Sequence, residues 1–176
     1  MRGLNIEMKA KANSLEGLQK FLSNLKAEHI GVFNQVDTYF NVSHGRLKLR
    51  ETLNSGRGEL VYYERRNVEG PKLSSVYTVE IPEPAVTKMI LEKVLGVWVI
   101  VDKTREVFRY AGVKVHLDTV KGLGNFLELE KQIENREAEA RKSKRLIKDL
   151  MKKMGISRRD LQRGSYSDLI LQRKRR

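Results

Sequence analysis

The sequence predicts an α+β fold in which helices cover a closed antiparallel β-barrel. Nearly all candidate strands alternate apolar with charged residues, and the charged residues are grouped by sign instead of being mixed. Helices with apolar stripes are also present, and they can cover the apolar strand faces. A barrel with its polar faces inside satisfies this pattern, because closure removes the strand edges. An open antiparallel sheet with one wet face would alternate in the same way, so alternation leaves that arrangement open.

The first half of the chain predicts five strands and one helix. Residues 5–12 alternate apolar with polar or charged side chains, which indicates a strand with one charged face. Ser14 is expected to cap a helix through Leu25, whose leucines recur at helical spacing. The other expected strands are residues 35–42, 46–50, 59–66 and 75–81, separated by a turn at 54–58 and a loop at 68–72.

The second half predicts a helix, further strands and a helical C-terminal segment. Pro82 and Pro84 open a helix that ends before Gly96. Short turns are expected at Ala111-Gly112 and around Gly122. The expected strands are residues 97–101, 105–110, 113–118 and the second arm of the hairpin that ends at Glu130. A charged helix is expected from Asn135 to Met154, with Ser157 and Ser165 as caps of short closing helices.

Length and composition indicate one domain that spans residues 1–176. The chain has no cysteine, so disulfides and thiolate metal sites are excluded and a reducing compartment is expected. The N-terminal residues lack the apolar stretch of a signal peptide, and no apolar run is long enough to span a bilayer. We therefore expect a cytoplasmic protein without a membrane span. Its oligomeric state stays open between monomer and dimer.

The formal net charge of +13 is concentrated at the C-terminal end of the chain. Residues 141–176 contain fourteen Lys and Arg but only three Asp, whereas the rest of the chain is nearly balanced. A basic helical segment over 136–176, packed on the barrel or extending from it, could attract nucleic acid through its phosphates. A solvated helix face with a frayed tail is the more frequent origin of such a run, and we favour it over a nucleic-acid site.

A lumen built from these strands would bring acids and cations together. Convergent carboxylates suit a hard cation such as Mg²⁺ or Mn²⁺, and convergent Lys and Arg suit phosphoryl oxygens. A polyphosphate chelated to a metal ion would use both groups, whereas on an open sheet the same charges would face water. The acids in question are Glu7, Asp118, Glu128 and Glu130, and the cations are Lys9, Arg46, Lys48, Arg50, Lys103 and Arg105.

Several short motifs, in this order along the chain, resemble the CYTH superfamily, the triphosphate tunnel metalloenzymes. The resemblance implies an antiparallel barrel of about eight strands that forms a tunnel. Relatives include thiamine triphosphatase and inorganic triphosphatase, and the class IV adenylate cyclase-like branch is the most similar. The motifs are Asn5-Ile-Glu-Met-Lys-Ala-Lys11, His44-Gly-Arg-Leu-Lys-Leu-Arg-Glu51, Tyr62-Tyr-Glu-Arg65, Gly70-Pro-Lys72, the hairpin ending at Glu130, and Gly164-Ser-Tyr-Ser-Asp-Leu169.

The resemblance also implies a role for individual residues. Asn5 stands where the family has the first Glu of Glu-x-Glu-x-Lys, which leaves one or two metal ions open. Asn5 can still offer an amide oxygen beside the metal ligands, directly or through water. His116 shares the inward parity of Asp118 and could also lie beside the ligands, but we favour a structural role for it. The implied metal ligands are Glu7, Asp118, Glu128 and Glu130, and the implied catalytic residue is Lys9. The implied triphosphate-binding residues are Lys9, Lys11, Arg46, Lys48, Arg50, Arg65, Lys72, Lys103 and Arg105.

The implied function is a metal-dependent enzyme that acts on a triphosphate bound in the tunnel. We favour hydrolysis of a nucleoside triphosphate, tripolyphosphate or thiamine triphosphate, which needs a water molecule aimed at the terminal phosphorus. A class IV adenylate cyclase, which converts ATP to cyclic AMP and pyrophosphate, would use the same anchor residues and is the alternative. A non-catalytic binder of phosphorylated ligands or RNA is the second alternative, suggested by Asn5 and the basic C-terminal segment.

Overall fold

The predicted closed barrel is confirmed by the computed structural model. Across the residues that the structure describes, 2–53, 55–134 and 137–174, eight antiparallel strands close in the order β1-β5-β4-β3-β2-β6-β7-β8. Asn54, where the predicted turn begins, and Asn135, where the predicted charged helix begins, therefore lie outside the described residues. Arg175 and Arg176, at the end of the basic tail, also lie outside them. The strands are β1 (Arg2–Lys11), β2 (Glu28–Phe40), β3 (Arg46–Thr52), β4 (Gly58–Arg65), β5 (Lys72–Ile81), β6 (Val97–Tyr110), β7 (Val113–Val120) and β8 (Gly124–Ile133).

The helices begin and end close to the predicted signals. Ser14 caps the first helix, because its Oγ accepts a hydrogen bond from the backbone N–H of Gly17 at 3.3 Å. Gly96 ends the second helix with φ of 70°, a conformation that favours glycine. The described residues contain α1 (Leu15–Asn24), α2 (Pro84–Leu95), α3 (Glu137–Lys153) and α4 (Tyr166–Lys174), with a 3₁₀ turn at Arg158–Asp160.

The largest differences from the predicted strand boundaries occur in β2, β5 and β6. β2 begins at Glu28 instead of residue 35, because its exposed first half pairs with the long strand β6. β5 begins at Lys72, which the Gly70-Pro71 sequence had placed in a loop, and Lys72 lies opposite Glu7 of β1. β6 is continuous where separate strands were expected. Pairing with a neighbouring strand thus extends elements whose own sequence signals are weak.

The hydrophobic core lies outside the barrel, between three strands and two helices. Alternate residues of β1, β7 and β8 point outward and are buried beneath α1 and α3. Burying one such aliphatic side chain stabilises the fold by roughly 1.5–3 kcal/mol, so this layer fixes which strand faces point inward. The remaining alternate residues of the same strands must then line the barrel interior. The core residues include Ile6, Met8, Ala10, Leu18, Leu22, Val113, Val115, Leu117, Leu127, Leu129, Ile147 and Leu150.

The C-terminal segment closes one end of the barrel. Tyr166, the first residue of α4, is buried against Phe126 in a second apolar cluster, with ring centroids 5.1 Å apart. The backbone N–H of Gln162 donates to the carbonyl of Lys9 at 2.9 Å, which fastens the preceding segment to β1. Within the part of the chain that the structure describes, no helix combines the length and apolar character that crossing a membrane requires.

Candidate metal and phosphate site

The barrel encloses a cavity of about 670 Å³ that is lined mainly by charged and polar side chains. Inward-facing residues of all the strands contribute to it, as the alternation predicted. The charged lining residues from the prediction are Glu7, Lys9, Lys48, Arg50, Arg65, Arg105, Glu128 and Glu130, and Asn5 and His116 also line the cavity.

Acidic residues gather where β1, β7 and β8 pair. Glu7 lies opposite Glu130 in the β1–β8 register, and Lys9 lies opposite Glu128. Glu128, Glu130 and His116 place potential ligand atoms within 4.8 Å of one another. His116 Nδ1 is 3.3 Å from Glu128 Oε1, and burial lowers the pKa of His116, which favours the neutral imidazole that metals bind. The structure therefore brings His116 into the predicted metal site.

Glu7 and Asn5 flank this cluster on β1. Glu7 Oε1 forms an ion pair with Arg65 Nη1 at 2.9 Å. Burial raises the pKa of Glu7 above its usual value, and the negative charges of Glu128 and Glu130 raise it further, whereas Arg65 opposes the change. The amide Nδ2 of Asn5 donates to Glu130 Oε1 at 3.1 Å. Asn5 thus orients Glu130, and its replacement of a carboxylate limits the crowding of negative charge.

Lys9 is buried between the acids and the closed end of the barrel. Its Nζ forms an ion pair with Glu128, and it also lies 3.4 Å from the centroid of the Tyr166 ring. Burial lowers the pKa of Lys9, whereas Glu128 and Asp118 oppose that change. Burial alone would raise the pKa of Glu128, but the charges of Lys9 and Arg105 hold it well below its usual value. Glu128 is therefore an anion, as a metal ligand must be.

Asp118 has a different environment from the other predicted metal ligands. It is fully buried, and Arg105 donates to both of its oxygens at 2.7 Å. Tyr166 Oη donates to Asp118 Oδ2 at 2.6 Å. Burial opposes ionisation of Asp118, yet Arg105 lowers its pKa to about 2. Both carboxylate oxygens are thus occupied, and Asp118 in this arrangement holds Arg105 and the closing Tyr166 instead of facing the cavity.

Across the cavity, one carboxylate organises three predicted phosphate-binding cations. Asp37 on β2 accepts from Lys48 Nζ at 2.8 Å, Arg50 Nε at 2.8 Å and Lys103 Nζ at 2.7 Å. Burial by itself would raise the pKa of Asp37, but the three cations hold it well below its usual value. Asp37 therefore separates the cations and fixes their positions on one side of the barrel.

Three of the other predicted cations, Arg65, Arg46 and Lys11, lie in different environments. Arg65 retains a buried Nε that has no hydrogen-bond partner among the described residues, so it can donate to a ligand in the cavity. Arg46 Nη2 donates to both oxygens of Asp168 on α4, at 2.9 and 2.8 Å, outside the cavity lining. Lys11 is exposed and lines a separate surface depression, so the structure does not bring it to the barrel cavity.

Lys72 lies at the closed end of the barrel and binds backbone carbonyls. Its Nζ donates to the carbonyls of Val68, Gln162 and Arg163 at 3.0–3.3 Å. Burial and the neighbouring Arg65 lower the pKa of Lys72 to about 8. In this arrangement Lys72 fastens the C-terminal segment to the barrel, and its ammonium group is directed away from the cavity.

Sequence reasoning assigned no role to Asp37 or Tyr166, although both organise the site. Asp37 lies two residues from both Gln35 and Tyr39, so the three side chains share one face of β2, and the inward direction of Asp37 could be predicted from this spacing. The position of Tyr166 depends on how the C-terminal segment folds back, and no local pattern encodes that path.

The donor set fits a hard divalent cation. Glu128 and Glu130 supply carboxylate oxygens, Glu7 is adjacent, and His116 adds a nitrogen ligand that Mn²⁺ accepts more readily than Mg²⁺. Of the three cations held by Asp37, Lys48 and Arg50 line the cavity and suit the oxygens of a polyphosphate, whereas Lys103 is fully buried outside the cavity lining. Chemically, the cavity can hold a polyanion between a metal ion and a preorganised cationic surface.

Comparisons with known proteins agree with the barrel fold. The CYTH domain family model matches residues 3–166 of the chain. The Methanocaldococcus jannaschii protein that bears the name "Putative adenylate cyclase" is 27% identical over 158 residues, which cover 85% of this chain and 84% of that protein.

Solved structures share the barrel at low sequence identity. A protein from Pyrococcus horikoshii is 24% identical with a TM-score of 0.80, and the match covers 94% of this chain and 98% of that chain. A Hippeastrum protein described as having a dominant triphosphatase activity is 17% identical with a TM-score of 0.61, covering 93% of this chain and 91% of that one. At these identities the likeness shows the fold alone.

Proposed function

Because the chain belongs to the CYTH domain family, we propose that it is a divalent-metal-dependent enzyme that hydrolyses a triphosphate bound in its barrel. The observation that supports this proposal is one barrel cavity of about 670 Å³ whose lining combines the carboxylates of Glu7, Glu128 and Glu130 with several Lys and Arg side chains. A metal–polyphosphate complex has matching parts, because its metal ion needs carboxylates and its phosphoryl oxygens need cations.

We propose that Glu128 and Glu130 hold the metal ion, with Glu7 and His116 beside them. Their ligand atoms are close enough to share one ion, and Asn5 fixes the orientation of Glu130. A bound Mg²⁺ or Mn²⁺ would neutralise phosphoryl charge in the transition state. Asp118 is better placed to hold Arg105, because both its oxygens already accept hydrogen bonds.

The triphosphate is proposed to lie along the cationic side of the cavity. Lys48 and Arg50 are held in place by Asp37 before any ligand arrives, so little reorganisation is needed when the polyanion binds. Arg65 offers its unpaired Nε from the neighbouring strand. Preorganised cations of this kind stabilise the charge that spreads over the transferring phosphoryl group.

In the proposed reaction, the oxygen of a water molecule bonds to the terminal phosphorus. The bond between that phosphorus and its bridging oxygen breaks, and the products are orthophosphate and the diphosphate that remains. The proton lost by the attacking water is balanced by solvent, and Lys9 is near enough to the acidic site to neutralise the leaving oxygen. Water is excluded at the closed end by Tyr166 and its apolar neighbours.

Cyclisation of ATP is the second candidate, favoured by the name of the M. jannaschii relative. That reaction places the ribose 3′-hydroxyl against the α-phosphorus and expels pyrophosphate, so the nucleoside must also enter the barrel. Ile30 and Phe33 add apolar side chains to the cavity lining, against which a nucleoside could pack. Both reactions use the same metal and phosphate contacts, and only the attacking oxygen differs.

Product identification separates these candidates. The purified chain is incubated with tripolyphosphate, ATP or thiamine triphosphate in the presence of Mg²⁺ or Mn²⁺, with Glu130→Gln protein prepared in parallel as the control for contaminating phosphatases. Orthophosphate supports hydrolysis, and cyclic AMP with pyrophosphate supports cyclisation. Triphosphate or RNA binding that survives chelation of the metal, with no product from any substrate, would instead identify a binding protein.

A further inference from the structure

Helix α2 presents an apolar surface that the fold leaves uncovered. The helix packs on β2 and β3, but none of its side chains, all of which the structure describes, is fully buried. Its outward stripe consists of Val86, Met89, Ile90 and Val94, which are between 49% and 73% exposed. Residues at this spacing occupy one face of a helix, and such a stripe normally faces a core. In contrast, α1 and α3 bury their apolar stripes on the barrel.

The uncovered surface continues from the helix onto the barrel wall. Ile100 of β6 lies opposite Thr38 of β2, the strand beneath α2. Its neighbours Val99 and Val101 are buried inside the barrel, so alternation directs Ile100 outward, where it is 49% exposed. Trp98 lies at a register irregularity between β2 and β6, with its ring 6.3 Å from that of Tyr39, and is also exposed. Helix α2, Ile100 and Trp98 thus present six exposed large apolar side chains, and apolar exposure that is grouped in this way marks interaction sites.

The charges that border the stripe are arranged so that two copies of α2 complement each other. Glu83 precedes the first turn and Lys93 lies in the last turn. Among the described residues, neither of these side chains has an ion-pair partner. In an antiparallel pair of α2 helices, the register that sets Glu83 against Lys93 of the second copy also sets Val86 against Ile90. In an antiparallel pair, the partly positive N-terminus of each helix also lies beside the partly negative C-terminus of the other, which stabilises the pair.

The distribution of charge over the barrel also favours a second copy of this chain. The basic helix α3 packs on β1 and β8, which lie diametrically across the barrel from β2 and β3. Contact through α2 therefore keeps the two strongly basic segments far apart and limits their repulsion. An anionic membrane is a poorer match, because the only cations on α2 are Lys88 and Lys93, and Lys88 is engaged with Glu51.

We propose that this surface is the interface of a homodimer with two-fold symmetry, in which α2 crosses α2 of the second copy. A stable dimer buries about 800 Å² on each partner, more than four side chains supply, so Trp98 and Ile100 belong to the same interface. The contact is isologous, because each Glu83 meets the Lys93 of the other copy. The proposal does not depend on which reaction the cavity performs.

The oligomeric state of the full chain tests the proposal. Light scattering coupled to size-exclusion chromatography is expected to give a dimer for the wild type and a monomer for Ile90→Glu. Leu73→Glu, at an equally exposed apolar residue on β5, is the matched control and should stay dimeric. Circular dichroism confirms that each variant is folded, since Ile90 makes little contact with the barrel.

A charge reversal identifies the partner as a second copy of this chain. Lys93→Glu alone should weaken dimerisation by sedimentation equilibrium, and Glu83→Lys alone should do the same. The double variant restores opposite charges across the two-fold axis, so it should recover the dimer. A wild-type chain that stays monomeric at all concentrations, or a dimer indifferent to Ile90→Glu, would overturn the proposal and leave this surface to another partner.

Discussion

The Asp37 side of the barrel cavity and the Glu128–Glu130 side combine acids and cations in different ratios. On the Asp37 side, a single carboxylate is shared by three cations. On the other side, Glu7, Glu128 and Glu130 lie together, with Arg65 paired to Glu7 and with Lys9 and Arg105 near Glu128. Asp37 has its pKa held well below the usual value by its partners, whereas burial raises the pKa of Glu7.

This difference shows that a buried carboxylate takes its role from the charges around it. An acid among cations uses its lone pairs in ion pairs and becomes a structural counter-ion. An acid among other acids can retain an oxygen for a bound cation, as Glu130 does, since it accepts from Asn5 and forms no ion pair with the residues that the structure describes. Asp118 belongs with Asp37 in this respect, although the sequence placed it with the metal ligands.

Asp37→Asn should have the largest effect on stability. It leaves Lys48, Arg50 and Lys103 close together in the barrel without their shared counter-ion. We expect the free energy of unfolding, measured by urea denaturation, to fall by about 3–5 kcal/mol. Glu130→Gln is the matched control on the acidic side and should change stability by less than about 1 kcal/mol. Equal losses in the two variants would contradict this difference between the two sides.

Glu130→Gln should instead remove activity. The substitution takes a charged oxygen ligand from the proposed metal site while keeping the size of the side chain. We expect the initial rate of orthophosphate release to fall by at least about 100-fold at saturating metal. Glu137→Gln on the exposed face of α3 is the control and should retain full activity. Wild-type turnover by the Glu130 variant would remove this residue from the metal site.

Asp118 should contribute to stability in acid. Its pKa is lowered to about 2 in the folded protein from an ordinary value of 3.8. A lowered carboxyl pKa stabilises the fold above the unfolded value, and that stabilisation is lost as pH falls from about 4 to about 2. The contribution is about 2 kcal/mol. Urea midpoints measured across this range should depend less on pH in Asp118→Asn than in the wild type, and an unchanged slope would show that other groups are responsible.

Lys48 should make metal-free polyphosphate binding sensitive to alkaline pH. Burial and the neighbouring Arg50 lower the pKa of Lys48 to about 8, although Asp37 opposes the change. Because only the protonated amine attracts an anion, affinity for tripolyphosphate should fall as pH rises, by up to about tenfold between about pH 7 and about pH 9. Lys48→Arg keeps the charge and should reduce this dependence in calorimetry. The same dependence in both proteins would place the polyphosphate elsewhere.

Lys11→Gln should have the smallest effect. The side chain is exposed and lies outside the barrel cavity, although its parity on β1 had suggested a phosphate contact. We expect tripolyphosphate affinity and turnover to change by less than about twofold, the scale of an ordinary surface substitution. Lys48→Gln, measured beside it, should weaken binding clearly. A large loss in the Lys11 variant would show that the substrate extends past the closed end.

Much of the site could be predicted because strand alternation is a local property. Glu7, Lys9, Glu128 and Glu130 were assigned to the inner face from their spacing, and the structure places all four on the cavity. Lys72 was misplaced in a loop because Gly70 and Pro71 are strong turn signals, and only its pairing opposite Glu7 makes it part of β5. Asp37 also has the inward parity, but parity says nothing about how many cations surround it.

By itself, the sequence determined the alternation of the strands, the helix caps and the sorting of charges by sign. These features depend on neighbours within a few residues, since backbone geometry fixes side-chain direction locally. The tertiary structure alone decided which acids meet cations, because Asp37 and Lys103 are brought together by the pairing of distant strands. It also decided that Tyr166 closes the barrel against Asp118 and that α2 remains uncovered. Whether a carboxylate binds a metal or holds an arginine follows from those long-range contacts, because its charge and solvation are set by whatever the fold places beside it.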